Sequence, residues 1–201
     1  MEKLIITAAI TGSRITREIT PHIPLTPEEI VQSAYECWQA GAAVVHIHVR
    51  DPDTGLATQD VGIFKQVVEP LREKTDLILC LTTSGIPGRN LPTEERLAPV
   101  DLKPELASFD AGSINLGGTV FINSPEFLDR AAEKMRQKGV KPEIEIFEIG
   151  SKVLDASIRG QLRRIRPRRR RVQPDRHQQR ISRATLFQTL TRAAARCRVT
   201  L

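Results

Sequence analysis

Ala43-Val44-Val45-His46-Ile47-His48-Val49, the loop Asp51-Pro52-Asp53-Thr54-Gly55, an amphipathic stretch near 60–74, and then Leu77-Ile78-Leu79-Cys80-Leu81 follow one another in the chain. The two apolar runs are too short for helices and are bounded by turn residues, so each reads as a buried strand. The stretch between them reads as a helix near Asp60–Lys74. Strand, helix and strand in this order form a βα unit, which places the two strands parallel in one sheet.

The same alternation extends in both directions. Upstream, the apolar run 4–10 is followed by a polar loop over 11–25 and by Thr26-Pro27-Glu28-Glu29. That tetrapeptide predicts a helix start, with Thr26 as N-cap, proline in the first turn and Glu29 at capping-box spacing. Ile30, Ala34, Cys37 and Trp38 fall on one face, and Gly41 stops the helix. Downstream, the run 77–81 ends in Thr82-Thr83-Ser84-Gly85, and a short helix is expected near 93–97. A fourth run covers 106–115. Ser124-Pro125-Glu126 opens a helix that runs to about Lys138 and stops at Gly139, and a fifth run covers 143–147.

Two α/β architectures accommodate five such units, a (β/α)₈ barrel and a doubly wound open sheet. A dinucleotide-binding sheet needs a glycine-rich turn after its first strand, and Thr11-Gly12-Ser13-Arg14 does not match GxGxxG. Polar residues cluster after the end of every strand, where barrels place their chemistry. The expectation is therefore a partial TIM (β/α)₈ barrel of about five βα units, since a whole one takes about 250 residues.

The chain has 201 residues and a formal net charge of +6, but the charge is unevenly placed. Residues 159–201 hold 14 arginines, no lysine and one acid, Asp175, whereas 1–158 are net acidic. This divides the chain into an expected partial-barrel, metal-binding domain over 1–157 and an arginine-rich, non-barrel tail over 158–201. The tail is expected to be disordered or weakly helical, with the best helical period over 182–198. No apolar run approaches the roughly 20 residues of a membrane span. The three cysteines, Cys37, Cys80 and Cys197, form neither a disulfide framework nor a CxxC knuckle, so a cytoplasmic location is expected.

His46-Ile47-His48 is the sharpest chemical signal. Residues i and i+2 on a strand share a face, so both imidazoles reach one point. Two neutral imidazoles suit Zn²⁺; a hydrogen-bonded histidine pair inside a barrel is the alternative. The hydroxyls and backbone N–H groups of Thr82-Thr83-Ser84-Gly85 can hold a carboxylate or enolate oxygen, or form an ordinary turn. Ser108, Asp110 and Asn115 are polar residues in an apolar run, which interior hydrogen bonding explains equally well. Glu143 and Glu145 share one face of the fifth run, with Glu148 just after it. A carboxylate inside a barrel is costly unless it binds a metal or base, or has a raised pKa.

An ordered set of motifs resembles the β-keto acid cleavage enzyme family over residues 4–150. The set comprises Thr7-Ala8-Ala9-Ile10-Thr11-Gly12, Pro24-Leu25-Thr26-Pro27-Glu28-Glu29, His46-Ile47-His48-Val49-Arg50 and Thr82-Thr83-Ser84-Gly85. Arg96-Leu97-Ala98-Pro99, Leu102-Lys103-Pro104-Glu105, Gly112-Ser113-Ile114-Asn115 and Pro142-Glu143-Ile144-Glu145-Ile146-Phe147-Glu148 continue it. The resemblance implies a TIM barrel with a catalytic Zn²⁺ on His46 and His48. It implies a reaction in which a β-keto acid and acetyl-CoA, the co-substrate, give acetoacetate and a new acyl-CoA. It places substrate contacts at Thr82, Gly85, Ser108 and Asp110, a catalytic carboxylate at Glu145, and an intact relative as a homo-oligomer.

Two departures accompany it. Where the family's best-known pattern has an acid that holds the substrate's amino group, this chain has Arg14, which suits a neutral or anionic β-keto acid instead. The family's third metal ligand, a glutamate, and a nearby arginine and aspartate come from later strands, and nothing after Gly150 matches them. The expectation is that residues from about Ser157 onward are not family sequence, as a shifted reading frame in a GC-rich gene would produce, and that this chain alone is inactive. A genuine basic tail on a five-unit domain is the rival. Two other functions compete: a metal-dependent barrel hydrolase, and a nucleic-acid binder acting through non-specific charge in the tail.

Overall fold

The computed structural model describes residues 4–147 apart from Pro87 and Gly117; Glu148 and the arginine-rich tail lie outside the described residues. Strand β1 (Thr7–Ala9) is followed by helix α1 (Pro27–Gln39). Strands β2 (Val44–Ile47) and β3 (Val49–Arg50) flank His48, and β4 (Ala57–Thr58) leads into helix α2 (Val61–Lys74). Strand β5 (Ile78–Leu81), helix α3 (Thr93–Arg96) and a 3₁₀ turn (Ala98–Leu102) precede β6 (Leu106–Asp110). The hairpin of β7 (Ile114–Leu116) and β8 (Thr119–Phe121) is followed by helix α4 (Pro125–Lys138) and strand β9 (Lys141–Glu145).

The helices begin and end where local chemistry directs them. Thr26 accepts the Glu29 N–H while the Glu29 carboxylate accepts the Thr26 N–H, a complete capping box on α1. Asp60 accepts from the Gly62 and Ile63 N–H groups at the start of α2. Gly139, at φ 67°, closes α4 in a left-handed conformation that a Cβ would penalise.

The main sheet has the order β1-β2-β5-β6-β9, and every pairing is parallel. Among the described residues the strand order never reverses, so they contain no switch point of the kind a doubly wound sheet uses for its ligand. Successive crossovers step the same way and leave the helices on one face. Val45, Ile47, Leu79 and Leu81 pack with Ile30 and Ala34 of α1 and with Phe64, Val67 and Leu71 of α2. Ala107 and Phe109 pack with Leu128, Ala131 and Met135 of α4 in a second cluster.

The sheet is also curved. In a flat sheet β2 and β9 stand three strand spacings apart, about 14 Å. Yet Nδ1 of His46, on β2, lies 3.4 Å from Oε2 of Glu143, on β9. The fold is an open segment of a (β/α)₈ barrel, with the helices outside and one polar face inside.

Four expected strands change their limits. The run 4–10 keeps only Thr7–Ala9 as strand, paired with β2, and Leu4 and Ile5 lie exposed before it. The run 43–49 divides at His48, because β3 leaves the main sheet to pair antiparallel with β4. The run 106–115 divides after Asp110, where Gly112 N–H turns back onto the Asp110 carbonyl and the β7–β8 hairpin begins. The fifth strand starts at Lys141 and ends at Glu145 because its register follows β6, from Leu106↔Lys141 to Asp110↔Glu145. Ile146 and Phe147 then lie exposed beyond it.

Candidate active site

The period of two explains how the site is assembled. Val45, Ile47, Leu79, Leu81, Ala107 and Phe109 point to the helices, so the alternate residues point to the inner face. Those alternates are His46, Cys80, Ser108, Asp110, Glu143 and Glu145, with His48 continuing the His46 row. Ser108 and Asp110 of β6 and Glu143 and Glu145 of β9 thus share one concave surface with His46 and Cys80.

His46 and His48 converge as their spacing predicts. Their Nε2 atoms are 3.1 Å apart and their ring centroids 5.0 Å apart. Burial, with the His46 ring and the Arg50 charge added, drives His48 down to about 3, so it is a neutral imidazole near pH 7. The other side of His46 faces the Glu143 carboxylate through Nδ1. The same Glu143 oxygen accepts from the Cys80 thiol at 3.1 Å. The hydrogen bond from His46 holds Glu143 below the usual carboxylate range despite its burial. Burial and the nearby Glu143 push Cys80 far up, so it remains a thiol. His46, Cys80 and Glu143 place ligand-type atoms within 4.8 Å of one another, a second grouping in which a metal can be considered. The Cys80 thiol and the His46 Nδ1 both face Glu143, while the two imidazole Nε2 atoms face each other.

Asp110 and Glu145 are direct neighbours across β6 and β9. Burial raises both carboxyls. Glu145 reaches about 7, with the Asp110 charge and a hydrogen bond between the two adding to the effect, while Arg96 and His46 pull Asp110 the other way. The pair binds one proton far more tightly than an exposed acid does. Both line a cavity of about 380 Å³ together with Arg14, Ser84, Gly85 and Arg89. Arg14 reaches Thr119 Oγ1 at 3.5 Å, from the loop after β1 to β8 on the opposite wall.

The remaining expected contacts differ in accessibility. Gly85 lines the cavity at φ 79°, and a Cβ there would come within 3.3 Å of the Arg96 side chain, so conformation and packing both call for glycine. Thr82 and Ser108 are buried, 1% and 0% exposed. Thr82 Oγ1 accepts the Ser84 N–H, and Ser108 Oγ accepts the Thr83 N–H. These two hydroxyls shape the end of β5.

Two buried arginines, noted in the sequence only as parts of motifs, build the walls. Arg96 donates to the carbonyls of Thr83 and Ile122 and to Asn123 Oδ1, and its guanidinium lies 3.8 Å from the centre of the Phe127 ring. It joins the end of β5 to the segment between β8 and α4. Arg50 donates to the carbonyls of Gly12, Ile15 and Gly55, which ties down the loop that carries Arg14. No sequence period reveals such roles, because the acceptors are distant backbone carbonyls.

The profile of the beta-keto acid cleavage enzyme family matches residues 3–158. The chain belongs to this family. Among relatives, the 3-keto-5-aminohexanoate cleavage enzyme of Fusobacterium nucleatum is 43% identical over 163 residues, covering 80% of this chain and 58% of the relative. That of Acetoanaerobium sticklandii is 45% identical, covering 79% and 57%. The 3-dehydrocarnitine:acetyl-CoA trimethylamine transferase of Rhizobium meliloti is 37% identical, covering 74% and 56%. The chain thus spans a little over half the length of these family members. Among solved structures, the ternary complex of ObcA with C4-CoA adduct and oxalate superposes with a TM-score of 0.65 at 26% identity, covering 72% of this chain and 35% of that one.

Proposed function

We propose that this chain carries the keto-acid side of a site in which a β-keto acid and acetyl-CoA give acetoacetate and a new acyl-CoA. The observation that carries the reading is the meeting of a paired imidazole and a paired carboxyl on one concave face. The names of two relatives, the 3-dehydrocarnitine and 3-oxoadipate transferases, add weight, since both include acetyl-CoA, and they leave a simple hydrolase and a charge-only nucleic-acid binder less favoured.

Zinc fits the donor set. Two nitrogens on one tetrahedral Zn²⁺ lie about 3.3 Å apart, close to the 3.1 Å between the two Nε2 atoms. His46 and His48 would hold the metal, which when bound supplies Lewis-acid polarisation of a keto oxygen. Glu145, with its carboxyl raised to about 7, is suited to take a proton from the carbon beside that keto group and to return it, because its two forms are balanced near neutral pH. Asp110 and Gly85 contact the substrate in the cavity, while Thr82 and Ser108 position them. Arg14 at the mouth repels an ammonium group and suits a neutral or anionic β-keto acid.

Equilibrium dialysis of the 201-residue chain against Zn²⁺ tests the metal. Weak retention is expected, because two ligands leave a zinc site incomplete, and it should vanish in His46→Ala/His48→Ala; equal retention by that variant refutes the site. For the chemistry, the later strands of a relative are joined after residue 150 and acetoacetate is measured. The joined protein is expected to turn over where the 201-residue chain does not. Glu145→Gln should lower kcat about 10²–10⁴-fold with little change in KM. An equal effect on both would make Glu145 a binding residue.

A further inference from the structure

His46 has two ring nitrogens and two different neighbourhoods. Nε2 meets His48, and Nδ1 meets Glu143. Glu143 is in turn held by a group with no other assigned part in the chemistry, the Cys80 thiol. Cys80 is fully buried and stands directly beside His46 in the β2–β5 register. Glu143 arrives from β9, three strands away, so the contact exists only because the sheet curves.

We propose that Cys80 and Glu143 are positioning residues that lock His46 in the tautomer with its proton on Nδ1, leaving the Nε2 lone pair directed toward the partner it shares with His48. The proposal rests on the reading of His46 and His48 as metal ligands. A ligand imidazole is oriented by the hydrogen bond its other nitrogen makes, commonly to a carboxylate. Here one carboxylate oxygen accepts from both the imidazole and the thiol. The thiol contact restrains a half-exposed glutamate that otherwise has several rotamers open to it. Without metal, His48 donates its Nε2–H to the free Nε2 of His46. With a cation held by both Nε2 atoms, His48 would carry its proton on Nδ1, and both rings would stay neutral.

The test uses the full chain at pH 8 and two readouts. Long-range ¹H–¹⁵N spectra of the metal-free protein show which ring nitrogen bears the proton. The expected result is Nδ1–H for His46 in the wild type, a mixed tautomer in Glu143→Ala, and a partial loss of preference in Cys80→Ala that Cys80→Ser restores. Titration with Co²⁺ is expected to show about 10–100-fold weaker binding in Glu143→Ala, a smaller loss in Cys80→Ala, and recovery in Cys80→Ser. A wild-type His46 with its proton on Nε2 overturns the proposal, as does an unchanged tautomer in the variants. An intense thiolate-to-Co²⁺ charge-transfer band that disappears in Cys80→Ala also overturns it, by making Cys80 a ligand. Failure of the wild type to bind Co²⁺ would sink the metal reading alone, because the tautomer is read without metal. Should Glu143→Ala not fold, the wild-type spectrum and the Cys80 pair still decide.

Discussion

Asp110 and Glu145 illustrate how single residues set the pH response. Glu145 is raised from an ordinary 4.5 to about 7 in the fold. Between those values the folded chain binds more protons than the unfolded one, so this contribution is full below 4.5 and is lost as pH rises through 7. His48 acts in the opposite sense. Its value falls from 6.5 to about 3, so its contribution is present above 6.5 and is lost as pH falls toward 3. The two overlap between 4.5 and 6.5, and only variants separate them. Urea midpoints measured from pH 5 to 7.5 are expected to fall less steeply, or to rise, in Glu145→Gln relative to wild type. Parallel curves would mean that the carboxyl is not buried as described. At Gly85, the left-handed φ and the close Arg96 side chain predict that Gly85→Ala costs at least about 1 kcal/mol, measured by chemical denaturation.

At the scale of elements, caps and clamps determine how the strand ends are presented. The Thr26–Glu29 box predicts that Thr26→Ala costs about 1 kcal/mol, and Arg17 adds an exposed ion pair to Glu29 that contributes little. Arg96 is a stronger determinant. Arg96→Met keeps the stem but leaves the carbonyls of Thr83 and Ile122 and the Asn123 oxygen without their donor. A loss of about 3 kcal/mol is expected, with faster amide exchange at residues 82–86 and 119–123 while α1 and α2 keep their protection. Uniform exchange across the chain would show that Arg96 does not act as a local clamp.

For the molecule as a whole, the described residues form two apolar clusters on the helical side of one curved sheet. Leu79 belongs to the α1–α2 cluster and Leu128 to the α4 cluster, and both are 0% exposed. Leu79→Ala and Leu128→Ala should each cost about 2–5 kcal/mol. Their sum is expected to hold within about 0.5 kcal/mol in the double variant, provided it remains folded. A larger coupling in calorimetry or denaturant titration would merge the clusters into one core. Amide exchange is expected to be slowest in β2, β5 and β6, which are paired on both sides, and faster in β1 and β9, which end the described sheet.

Much of this was legible along the chain because it depends on neighbours in sequence. The capping box at Thr26, the stops at Gly41 and Gly139, the alternation that sends His46 and His48 to one face, and the strand–helix order that makes a parallel sheet are all short-range properties. Strand limits were less legible, since β3 is set by pairing with β4 and β9 by its register on β6. The joining of Glu143 to His46 and Cys80 needed the curvature of the sheet, because Glu143 comes from a strand 97 residues beyond His46 and three places away in the sheet. The raised carboxyl of Glu145 needed Asp110 beside it in a buried setting, and the arginine clamps needed distant carbonyls. Periodicity chooses the face on which a side chain stands; only the bending of the sheet decides which side chains on that face meet.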